Sequence, residues 1–173
     1  MKSTSSIHAK RIGDTEPGEL IRIKIVDEFL LGIVLSNDDG RYIVGTLDPI
    51  SNEVQYQVHI SLSKDQRCIS YGVDWLIEPI LTDASWPAHS RFNWTPGALF
   101  LSNDEYSTVF RHHASSCDHG EILYDLSNSV LLERFPDGAA PITAWKIWAS
   151  QRDYTHPGAQ PLFEVTDVKI FAD

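Results

Sequence analysis

RHHASSCDHGE, residues 111–121, gathers more ligating and nucleophilic side chains than any other stretch of the chain. His113, Cys117 and His119 could supply three zinc ligands, with Asp118 or Glu121 as a fourth, because zinc takes N, S and O donors in a tetrahedron. Structural zinc sites pair two separated ligand pairs, and no second CxxC or HxxxH exists here. On a strand, His112 and His113 would point to opposite faces, so only one could join a site. Cys117 as a nucleophile would need positive surroundings to ionise, and its neighbourhood is acidic, which raises a thiol's pKa. No GxSxG, GxxxxGK[ST], GxGxxG or HExxH occurs. Acids are plentiful, but nothing in their spacing marks a carboxylate pair for glycoside hydrolysis. The expectation is therefore no catalytic residues, no metal and no cofactor. A metal-binding enzyme using His113, Cys117 and His119 is kept as an alternative.

Charge points in another direction. The chain has 24 acids against 14 Lys and Arg, a net charge of −10. Nucleic acid and anionic membrane both require a basic footprint, so neither is expected as a partner. A basic protein, steered in by the field, is. The acids are concentrated. Residues 27–53 carry Asp27, Glu28, Asp38, Asp39, Asp48 and Glu53 against Arg41 alone. Residues 102–137 hold seven acids, including Asp104, Glu105, Asp118 and Glu121, against Arg111 and Arg134. The partner-binding candidates are Asp38, Asp39, Asp104, Glu105, Asp118 and Glu121. Trp86 and Trp94 flank Phe92 and are added as aromatic anchors. The other use for these two tryptophans is sealing two halves of the chain together.

These residues must be carried by strands. ELIRIKIV (19–26) alternates, FLLGIVLS (29–36) is apolar, and Asn37-Asp38-Asp39-Gly40 has the residue types of a hairpin turn. RYIVGTLD (41–48) returns, and EVQYQVHISL (53–62) has the cleanest period-two pattern in the chain. CISYGVDWLIEPIL (68–81) adds one or two strands, with Trp75 read as core. In the second half, 96–113, 121–127, 129–135 and 162–171 read as strands. ITAWKIWAS (142–150) fits a helix or a strand: Trp145 and Trp148 share a face on the first and oppose each other on the second.

The expected fold is all-β, a small barrel or sandwich of short antiparallel strands. The parts are a flexible N-terminal tail (1–16), a β-meander unit (17–81), an aromatic connector (82–95), and a second β-rich unit (96–173) packed on the first. Pro17-Gly18-x-Leu20 repeats as Pro96-Gly97-x-Leu99, and Asp39, Ile43 and Leu47 as Asp118, Ile122 and Leu126, at one offset. LSND, at 35–38 and 101–104, needs a different one. A duplicated β-unit is left open, and the LSND echo is turn chemistry used twice. No apolar run reaches the roughly 20 residues needed to span a bilayer, and the N-terminus has no apolar signal core. With only two cysteines, Cys68 and Cys117, the expected setting is cytoplasmic with both thiols reduced.

EPGELIRIKIVDEFLLGIVLSNDDGRYIVG (16–45) resembles the opening of a group of all-β immunity proteins from bacterial polymorphic toxin and contact-dependent inhibition systems. The likeness rests on Gly18, the apolar strand Leu20 to Ile25, the acidic turn Asp27-Glu28, and Phe29-x-x-Gly32-x-Val34. Arg22-Ile23-Lys24 stands where that group has a proline. The resemblance implies a small, cytosolic, non-catalytic inhibitor that binds a cognate toxin, often a basic nuclease. The alternative binding class is an SH3-like module that recognises a peptide through its aromatics.

Overall fold

The computed structural model describes residues 7–25, 27–37, 40–48, 58–82, 85, 97–103, 105–112 and 120–166. Fourteen strands account for most of them: β1 (His8–Arg11), β2 (Leu20–Ile25), β3 (Glu28–Ser36), β4 (Tyr42–Thr46), β5 (Val58–Leu62), β6 (Arg67–Gly72), β7 (Leu76–Pro79), β8 (Leu99–Ser102), β9 (Glu105–His112), β10 (Ile122–Asp125), β11 (Val130–Leu132), β12 (Ala140–Ile142), β13 (Trp145–Trp148) and β14 (Phe163–Val165). A five-residue helix, α1 (Gln151–Thr155), starts at Ser150, whose hydroxyl accepts the Asp153 N–H. The protein is all-β, with almost every pairing antiparallel.

The strands form two copies of one arrangement. In the first, β2, β3, β4 and β5 pair in succession, β6 returns to the outer edge of β2, and β7 departs. In the second, β8, β9, β10 and β11 pair in succession, β12 returns to β8, and β13 departs. Detailed contacts repeat as well. Gly18 and Gly97 both have positive φ, 85° and 89°, and their carbonyls accept the indole N–H of Trp75 and Trp145 at 2.8 and 3.0 Å. The Leu31 N–H donates to Asp48 Oδ2 at 2.7 Å, and the Tyr106 N–H to Ser127 Oγ at 2.8 Å. β7 and β13 pair antiparallel, and Ile77 lies opposite Ile147. That central pair exchanges Trp75 with Trp145, so a local twofold axis passes through it.

The core follows the same symmetry. Leu20, Leu31, Leu35, Leu47 and Trp75 from the first copy meet Leu99, Phe110, Leu126 and Trp145 from the second in one cluster. Each copy has a second, private cluster on its other face. Ile21, Val34 and Val44 lie in one, and their equivalents Phe100, Val109 and Leu123 in the other. Strands buried on both faces read as continuous apolar runs, which explains FLLGIVLS. Gly45 leaves room for the Phe110 ring, since a Cβ there would lie 2.5 Å from it.

Two expectations change, for the N-terminal segment and for the first unit, and two open alternatives are decided, strand over helix and sandwich over barrel. Residues 8–14 are not part of a free tail. β1 pairs with β6, Ile12 is fully buried after it, and Lys10 reaches Glu19 at 2.5 Å. Residues 145–148 form β13 rather than a helix, because β-branched and aromatic side chains suit a strand paired on both sides. Among the described residues no barrel closes: the sheet path runs open from β1 to β11, with β5 meeting the far end of β9 in the one parallel pairing they make. The first unit is also more than a meander, since β6 crosses back to β2 and β7 leaves for a three-stranded sheet with β13 and β14.

Candidate interaction surface

Of the acidic candidates, Glu105 and Glu121 lie among the described residues, and both are exposed. Asp38, Asp39, Asp104, Asp118, Trp86, Trp94, His113, Cys117 and His119 lie outside them. What the structure fixes is where their flanking residues stand. Asn37, just before Asp38, donates its side-chain amide to Thr15 O at 2.7 Å. The Gly18 N–H donates to Val34 O at 2.8 Å, and Gly18 itself presses on Ser129. One residue earlier, Asn128 donates its side-chain amide to Glu105 Oε1 at 2.9 Å. A continuous chain of contacts therefore links the end of β3 to the start of β9, joining one acidic window to the other.

The twofold axis produces a second such rim. Asp48 receives the Leu31 N–H at 2.7 Å, and His59 contacts Gly120 O at 2.5 Å, which places Glu121 beside the start of β5. Asp27 and Glu28, both exposed, cap the adjacent β2–β3 hairpin. That hairpin extends two residue pairs further than its counterpart, Lys24 against Phe29 and Ile25 against Glu28. Its tip exposes Phe29 to 60%. Sequence reading assigned Phe29 to an apolar strand. The same reading placed a turn at Asp27-Glu28, and an aromatic beside a hairpin turn has no flanking strand to cover it, which is the exposure it did not draw from that turn.

Not every acid is available to a partner. Asp125 is buried and turns the chain, accepting the N–H groups of Ser127 and Asn128 at 2.8 and 3.0 Å. Glu19 is fully buried between Lys10 and Ser70. Burial alone would raise its pKa. Hydrogen bonds from Lys10, Ser70 and the Glu16 N–H, together with the Lys10 charge, outweigh that and hold it below the usual carboxylate value.

The chemistry-bearing groups in the described interior are held quiet. Cys68 is buried, and desolvation, with the Glu19 charge second, pushes its thiol up to about 11. Tyr124 is pushed up to about 12, mainly by burial, and its hydroxyl donates to Val34 O at 3.3 Å. No group of three His, Cys, Asp or Glu side chains is placed to hold a metal among the described residues. Trp75 is core, as its strand predicted, and Trp148 turns away from Trp145 to donate to Glu78 at 2.7 Å.

Two concavities flank the three-stranded sheet. A cleft of about 710 Å³ lies between Tyr71 and the α1 segment, lined by Arg152, Asp153, His156 and Leu162. A smaller pocket of about 290 Å³ opens between β7 and the Ser127–Ser129 turn. No described helix is long and apolar enough to cross a membrane. No family model, no curated protein and no solved structure matches this chain.

Proposed function

We propose that this protein is a binding module whose acidic rims engage a basic protein partner, and that it acts as an immunity-type inhibitor of a cognate bacterial toxin, a basic nuclease being the class of target. The observation that carries this reading is the recurrence of an acidic window in each copy of the duplication. The two windows of net charge −5 span equivalent strands, β3 in the first unit and β9 in the second. Like charges crowded in this way disfavour the isolated chain, and a cationic partner relieves the repulsion. Complementary fields of this kind act chiefly on association rate and partner choice. The resemblance of residues 16–45 to immunity proteins supports the same reading, with a cytoplasmic site of action.

The test is capture from the native host's lysate at low and moderate salt. A stoichiometric basic partner, lost as salt rises, is expected. Charge reversal at Asp38 and Asp39 should then slow association about tenfold and flatten its salt dependence, with the melting temperature unchanged. Unchanged kinetics with the purified partner would remove those residues from the interface.

A further inference from the structure

Among the described residues, the local twofold axis gives one strand no mate. β14 covers the outer edge of β13, pairing Trp145 with Val165 and Ile147 with Phe163. The Leu162 N–H donates to Ile147 O at 2.8 Å, and the Phe163 ring packs edge-on against Trp145 with centroids 5.3 Å apart. The axis carries this seat onto the outer edge of β7, where no described strand pairs.

The backbone of that edge is ready to pair. The Ile80 N–H donates inward, to Ala144 O at 2.9 Å. Residues along a strand alternate in direction, so Glu78 and Leu76 also face β13, while Ile77 directs its N–H and C=O outward. Pro79 has no N–H to offer, which limits the edge to a short pairing centred on Ile77. The side-chain seat is present too. Val73, Trp75 and Ile77 form one wall of the 290 Å³ pocket, and Tyr106, Leu126 and Ser129 the other. Trp75 and Ile77 are the twofold mates of Trp145 and Ile147, on which Phe163 rests.

We infer that the outer edge of β7 accepts an extended segment of the basic partner as an added antiparallel strand, with an aromatic side chain opposite Ile77 filling the pocket against Trp75. β14 supplies the template for the occupant: aromatic, polar, apolar in alternation. The charge of the rim supplies its sign. Asp74 and Glu105 are exposed beside the pocket, and no cationic side chain among the described residues lines it. Strand addition draws its affinity from main-chain hydrogen bonds and its selectivity from such a pocket. This inference rests on the reading of the protein as a binder of a basic partner.

The probe is the peptide Lys-Leu-Phe-Lys-Val-Lys, titrated into the full chain and followed by amide and indole NMR. The Ile77 amide and the Trp75 indole should shift together. Replacing the peptide's Phe by Ala, or its lysines by Glu, should weaken binding at least tenfold. Val73→Arg, at an exposed wall position, should do the same without changing the melting temperature. Shifts absent, or confined to the acidic hairpin tips, would overturn the inference. So would an Ile77 amide already protected from exchange in the free chain and exposed by Phe92→Ala, since the chain's own 86–96 segment would then hold the edge. A captured partner that binds Val73→Arg as tightly as the parent protein overturns the edge while leaving the partner reading intact. Failure to capture any basic partner overturns the partner reading instead, and the peptide titration still decides the edge.

Discussion

Glu19 shows how much one buried charge can organise. It ties β1, through Lys10, to the Pro17-Gly18 turn and to Ser70 of β6. Removing its cation should cost more than any surface ion pair, because a buried carboxylate would be left unpaired. Lys10→Met is expected to destabilise by roughly 3 kcal/mol in urea denaturation. The pH dependence has a definite sign. The folded pKa lies below the ordinary value of 4.5, so the stabilisation is complete above about pH 4.5 and is lost as pH falls through the folded pKa. Unfolding midpoints measured from pH 6 down to 3 should show this loss, and Glu19→Gln should flatten the curve within that window. The exposed pairs Arg11–Asp65 and Lys24–Asp27, at 3.4 and 3.7 Å, should contribute little to it. None of this could be read from residues 1–16. Their polar composition concealed that Ile12, buried beside Ile21 and Cys68, anchors the segment together with the Lys10–Glu19 pair and the β1–β6 pairing.

Among elements, the hairpins were legible and the duplication was only half so. Period-two alternation and Asn, Asp and Gly turns mark β2 to β5 and β10–β11 directly in the sequence. The repeat is obscured because no single offset aligns it. Leu20 pairs with Ile33 and Leu99 with Thr108, so β2 and β4 match β8 and β10 at an offset of 79 while β3, beyond the longer β2–β3 hairpin, matches β9 at 75. The β4–β5 and β10–β11 connections differ again. The equivalence is carried by contacts, such as the two indole-to-glycine bonds, that sequence comparison does not see. Equivalent positions have also diverged in size where the units meet. Gly45 stands where the second unit has Tyr124, and Phe110 fills the space over Gly45. Gly45→Ala should therefore cost about 2 kcal/mol by overpacking. Adding Phe110→Leu, which installs the type found at its mate Leu35, should recover a part of that loss. Calorimetry of the single and double variants checks both. The acidic candidates were legible as composition, whereas the Gly18–Ser129 and His59–Gly120 contacts, which bridge distant parts of the chain, were not.

On the scale of the whole molecule, the two units are joined by a shared core and by the short β7–β13 pairing, while each keeps a private cluster on its far face. Hairpins within a unit close over a few residues. The pairing of Ile77 with Ile147, and the Trp148–Glu78 bond beside it, close over 70. Contacts between residues far apart in sequence are slow to form, because loop-closure entropy must be overcome before they contribute anything. Stopped-flow refolding followed by tryptophan fluorescence should therefore show Ile77→Val, at the axis, accelerating unfolding with little effect on the folding rate, and Val44→Ala, inside the first meander, slowing folding. The axis through Ile77 and Ile147 thus has a temporal meaning as well as a geometric one: it marks the last place the chain comes together, and the first place it would come apart.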